Sequence, residues 1–135
     1  MPEDDALVDF LRDAAGRHLR GVVRYRADDY RFLFDRQDAG WGPDEQADLA
    51  VFVDQFRHAE LTESERTQAL NVGNHHVTVR LYDEAVVLHF PQGEDVGTLV
   101  SLDPEAATSL AAFVSQCLQY LFEDSPQRIE NAPQW

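Results

Sequence analysis

Val77-Thr78-Val79-Arg80-Leu81-Tyr82-Asp83-Glu84-Ala85-Val86-Val87-Leu88-His89-Phe90 reads as two strands closed by a turn at Asp83-Glu84. With that turn, Val77 faces Phe90, Val79 faces Leu88 and Leu81 faces Val86. Every pair on one face is apolar, and a slip of one residue would turn all six side chains to the wrong side, so the register is well specified. The opposite face then presents His76, Thr78, Arg80, Val87 and His89. A strand pair this well patterned sets the fold class as one built on an antiparallel sheet.

Working outward, Gly97-Thr98-Leu99-Val100-Ser101-Leu102 continues as a further strand after a loop at Gly93 to Gly97. Asp103 is a good N-cap, with Pro104 at the first helical position and Glu105 after it. The helix they open carries Leu110, Phe113, Val114, Cys117 and Leu121 at helical spacing. Upstream, Val22-Val23-Arg24-Tyr25 and Tyr30-Arg31-Phe32-Leu33-Phe34 are β-branched and aromatic runs joined by Arg26-Ala27-Asp28-Asp29, the chain's first hairpin. Pro2 and three following acids suit a helix start, Leu7, Leu11, Ala14 and His18 make its stripe, and Gly21 closes it. After the loop around Trp41, Pro43-Asp44-Glu45 starts another helix, whose Leu49, Phe52, Val53 and Phe56 recur at i, i+3, i+4, i+7. Thr62-Glu63-Ser64-Glu65 has the form of a capping box.

The expected fold is therefore α+β, a five-stranded antiparallel sheet with flanking helices in the order α-β-β-α-β-β-β-α. Residues 1–122 are expected to form a single domain and 123–135 a polar tail ending in Trp135. That element order resembles the roadblock/LC7 topology, a relative of the profilin and longin folds. The resemblance implies a non-enzymatic homodimer that regulates or scaffolds other proteins. It also implies a two-fold joining the second helix and third strand, here the Leu49–Phe56 helix and the Val77–Leu81 strand. Separately, Val22-Val23-Arg24-Tyr25, the Tyr82-Asp83-Glu84-Ala85 hairpin with His89-Phe90-Pro91, and the Gly97-to-Pro104 run resemble a group of small haloarchaeal proteins. No catalytic motif accompanies that resemblance.

Composition agrees with a haloarchaeal setting. The chain holds no lysine; its 11 cationic side chains are all arginine, against 25 carboxylates, for a net charge of -14. The excess is shared evenly, since residues 1–68 carry 16 acids and nine arginines while residues 69–135 carry nine and two, each half giving -7. Such self-repulsion destabilises a compact state in dilute buffer. Above about 1 M salt the Debye length falls to roughly 3 Å and the penalty nearly vanishes. The acidic opening Met1-Pro2-Glu3-Asp4-Asp5 does not resemble a signal peptide, and no apolar stretch approaches the roughly 18 residues of a membrane span, so a cytoplasmic protein is expected. Nucleic acid is disfavoured as a partner, because its main driving force fades at high salt and the charge opposes approach.

Candidate sites are few. Arg24, Arg31 and Arg80, if all project from the sheet face opposite the apolar pairs, make with His89 a positive island able to take a carboxylate or phosphate. The bland alternative is that each pairs with a carboxylate or lies beneath the second helix. His76 and His89 share a face, but two imidazoles fall short of the three or four ligands a zinc site needs, so no metal site is assigned. Cys117 sits on a helical stripe as a small core residue. Trp41, Leu49, Phe52, Val53 and Phe56 are the candidate partner surface. No phosphate loop, nucleophile elbow or metalloprotease motif is present and no cofactor is expected. The expected function is a non-catalytic, homodimeric interaction or regulatory module of a halophilic cytoplasm. The alternative is a small-ligand or anion sensor of the PAS kind, using the polar sheet face.

Overall fold

A computed structural model describes residues 2–27, 29–36, 50–59, 70, 75–93 and 95–123. Five strands, β1 (Leu19–Arg26), β2 (Asp29–Asp35), β3 (Thr78–Leu81), β4 (Val86–Gly93) and β5 (Val96–Leu102), form one antiparallel sheet in the order β2-β1-β5-β4-β3. Helix α1 (Pro2–Ala15) and helix α3 (Leu110–Glu123) pack on one face, and helical residues 50–59, α2, on the other. The α-β-β-α-β-β-β-α order is the expected one. No described helix is long and apolar enough to cross a membrane.

The hairpin that decided the fold has the anticipated register: Val79 pairs with Leu88 and Leu81 with Val86, while Val77 falls one residue before the strand. What pairing alone did not convey is position. β4 is an inner strand with Val86, Val87, Leu88, His89 and Phe90 all buried, whereas β3 is an edge strand whose Leu81 is 66% exposed. An edge strand receives cover from one neighbour only, so a correct apolar register does not guarantee burial there.

Two cores result. On one face Leu7, Leu11, Val22, Leu88, Phe90, Val100, Phe113, Val114, Cys117 and Leu121 lie together, and Phe10 stacks on Tyr120 between α1 and α3 at a centroid distance of 4.3 Å. On the other, Val53 and Phe56 of α2 pack with Val23, Tyr25, Val87 and Leu99. Arg57 ties α2 to the first hairpin by donating to the Ala27 carbonyl. Asp103 adopts the extended backbone of a cap ahead of Pro104, but its side chain makes no capping bond; a 3-10 segment, Pro104–Ser109, leads into α3.

The first helix ends earlier than Gly21. It stops at Ala15; Gly16 takes φ +60, a value only glycine reaches cheaply, and a 3-10 turn runs through His18. Gly21 belongs to β1, paired with Asp35 and Ser101. The first hairpin turn closes directly after the Arg26↔Asp29 pair, with Ala27 at φ 52.

Candidate functional site

Strand alternation sorts the sequence-derived residues to opposite faces of the sheet. Val22 joins the α1/α3 core and Val23 the α2 core, so Arg24 must return to the α1 side. There it donates to Asp4 Oδ1 at 2.9 Å, while Arg31, its partner across the β1–β2 ladder, donates to Oδ2. Asp4 is buried at the start of α1 and clamps both guanidiniums. Arg80 projects the other way, its guanidinium 4.1 Å from the Phe56 ring centroid of α2. His89 lies on that same side, 5.1 Å from the Phe56 ring. The four residues thus form no single island: Arg24 and Arg31 meet at one carboxylate, and Arg80 and His89 meet under α2. Parity within a strand was legible, but relating β1 to β4 required the order of strands between them.

His89 is 2% exposed, not a surface histidine. Its Nε2 lies 2.7 Å from the hydroxyl of Tyr25, itself buried. Tyr25 pairs with Gly97 on β5, and a Cβ at Gly97 would stand 2.6 Å from Tyr25 Cζ. The missing side chain lets the phenol cross β5 and reach β4. Burial, with the positive charge of His75 and Arg80 nearby, lowers the His89 pKa to about 3, so the ring is neutral at ordinary pH. His75 bonds instead to Thr78 Oγ1 at 2.7 Å and to the Val77 carbonyl at 3.0 Å. Cys117 is buried in the α1/α3 core, where desolvation raises its thiol pKa well above the ordinary range.

Of the candidate partner surface, Val53 and Phe56 are buried against the chain's own sheet. Their stripe is the side of α2 that makes the second core, which a lone helix pattern cannot distinguish from a partner-facing side. Phe52 is partly buried, and Trp41 and Leu49 lie outside the described residues, as do the 62–65 capping box and the tail from 124. The exposed apolar surface is found beside that stripe. Val51 on α2 is 59% exposed, Leu81 66% and Tyr82 46%, with Val79 also open along β3. Phe52 reaches Tyr82 at 6.5 Å between centroids on the α2 face, whereas Val79 and Leu81 open on the other face of the same edge. Among the described residues nothing pairs with the outer side of β3.

A family model described as "Domain of unknown function (DUF7522)" matches residues 5–122, and the chain belongs to that family. No curated protein matches the chain. Among solved structures, the chain is similar to the crystal structure of a Roadblock/LC7 domain from Streptomyces avermitilis. That match has 18% identity and a TM-score of 0.47, covering 83% of this chain and 94% of the other.

Proposed function

We propose that this member of the DUF7522 family is a non-catalytic interaction module that works as a homodimer in a high-salt cytoplasm. The observation that carries this reading is the exposed apolar side chains along edge strand β3, whose outer side nothing pairs with among the described residues: Val79 and Leu81 on the α1/α3 face, and Tyr82, just past the strand, beside Phe52 on the α2 face. An exposed, apolar strand edge is ordinarily blunted by charge or covered. Here the strand's one charged side chain, Arg80, is turned over Phe56. A second copy supplies fitting cover, because two β3 edges can meet antiparallel about a two-fold and bury the same side chains from each.

The charge supports self-association of this kind. A surface at -14 repels its own copy in dilute buffer, but at roughly molar salt the screening length is about 3 Å and apolar contact decides partner choice. Absence of lysine and the even spread of acids favour that solvent. Among the described residues, His89 and Cys117 are taken up by the two cores and Asp4 by Arg24 and Arg31.

Light scattering on the full chain in roughly 2–3 M KCl, where charge is screened, tests the proposal. The expected result is a dimer that Leu81→Asp converts to a folded monomer. A wild-type chain that stays monomeric at every concentration would overturn it.

A further inference from the structure

The corner where β1 meets the end of β5 has ligand character of its own. His18 ends the 3-10 turn before β1, and Asp103 follows β5. Leu19 and Leu102 pair in the β1–β5 ladder, and the Asp103 backbone N–H donates to the His18 carbonyl at 2.8 Å. The two side chains are thereby fixed next to each other by sheet structure. Glu105, two residues on in the 3-10 segment, completes the group. One nitrogen or oxygen from each of the three lies within 4.8 Å of the others.

His18 Nδ1 is shielded from solvent and has no hydrogen-bond partner. It stands 3.6 Å from Asp103 Oδ2, beyond hydrogen-bond length. Two donors each about 2.0–2.2 Å from one tetrahedral ion are roughly 3.3–3.6 Å apart, which is the spacing found. Both side chains are partly exposed, and a cation between the two atoms would take one ligand from each. Arg36 donates to Asp103 from both ends of its fork, to Oδ2 at 2.9 Å and Oδ1 at 2.7 Å. A carboxylate has about four lone-pair directions, so this bidentate grip leaves some for a metal. It holds the group still, as residues behind metal ligands commonly do.

We propose that His18, Asp103 and Glu105 bind a single divalent transition-metal ion of the zinc class. The imidazole selects such an ion over magnesium or calcium, which prefer all-oxygen sites. Glu105 is exposed and swings in to close the set. Three protein ligands leave a coordination position for water or for a donor from another molecule. The assignment does not rest on the homodimer reading.

Isothermal titration of zinc into the chelator-stripped full chain, in molar potassium salt, tests the assignment. One equivalent should bind saturably and raise the Tm. His18→Gln and Glu105→Gln should each weaken binding by roughly tenfold or more, the range seen when residues supporting a metal are removed. Asp29→Asn, at an exposed acid at the opposite end of the β1–β2 hairpin, should change nothing. No saturable binding would overturn the proposal, as would equal stoichiometry and affinity in the wild type and Glu105→Gln. Because the Glu105 side chain is exposed, that variant remains decisive even if His18→Gln fails to fold.

Discussion

The Tyr25 hydroxyl and His89 Nε2 meet 2.7 Å apart beneath α2, on strands that are not neighbours. The phenol spans β5 at Gly97, the position with which Tyr25 pairs. This contact links the first hairpin to the second and places a polar pair inside a core otherwise made of Val23, Val53, Phe56, Val87 and Leu99. Each partner satisfies the other, which is what allows both to be buried.

Gly97→Ala should therefore be far more damaging than its size suggests. The added methyl would sit 2.6 Å from Tyr25 Cζ, so the ring must leave its place and the hydrogen bond must break. Overpacking alone costs about 1–3 kcal/mol, and an orphaned buried imidazole nitrogen adds about 1–3 kcal/mol. Tyr25→Phe should cost about 1–2 kcal/mol, since it loses the bond without the clash. Thermal unfolding in molar salt should rank them in that order. Equal losses would mean the phenol does not need the glycine.

The same burial sets a pH dependence. His89 stays neutral in the folded chain down to about 3, whereas its ordinary value is 6.5. Between those values the unfolded chain is the better proton binder, so stability falls as pH drops from about 6.5 toward 3. His89→Gln, which keeps a polar group for Tyr25 but does not titrate, should flatten this slope. Asp103 acts in the same direction lower down, because hydrogen bonding from Arg36 holds its pKa below the carboxylate range, and that stabilisation is lost only as the acid protonates. Denaturant melts from pH 4 to 8 isolate the histidine, as the Asp103 contribution is nearly constant across them. A wild-type slope unchanged in His89→Gln would contradict the assignment.

Asp4 offers a third test. Arg24 and Arg31 stand directly opposite on β1 and β2, an arrangement in which like charges repel. One carboxylate, with an oxygen for each, makes it stable. Asp4→Asn should cost about 2–3 kcal/mol, somewhat below the loss typical of a fully buried pair because Arg31 is half exposed. Adding Arg31→Gln should recover part of it, because one of the two unpaired charges then disappears. A double variant as unstable as the sum of the singles would show that no coupling exists.

How much of this is legible in the sequence follows from what each contact depends on. The β3–β4 register needs only alternation and a turn, both local, and emerges from Val79, Leu81, Val86 and Leu88 alone. The burial of His89 depends on α2 covering the second face. The unbroken run Val86-Val87-Leu88-His89-Phe90 is the signal, because a strand covered on both sides loses its polar alternation. Membership of that run places His89 on an inner strand, where neither face is a polar one. The Arg24–Asp4–Arg31 clamp and the His18–Asp103 corner join positions far apart in sequence through the pairing of β1 with its neighbours, which no short-range pattern encodes. The helical stripe of α2 is visible in Val53 and Phe56, but whether it meets its own sheet or a partner is set by tertiary packing.

The charge distribution makes the last prediction. The chain carries 25 acids against 11 arginines, and several arginines are already used on Asp4, Asp54 and Asp103. The remaining acids repel one another through solvent, and that repulsion is strong at the roughly 30 Å screening length of 0.01 M salt and nearly gone at 1 M. Circular dichroism followed through a KCl titration should show the sheet and helices gained cooperatively as salt rises into the molar range. NaCl and KCl should act alike at equal ionic strength, since the effect is screening rather than a specific site. Full folding in dilute buffer without salt would remove the halophilic reading, and with it the reason for expecting apolar contact at β3 to outweigh charge in choosing a partner.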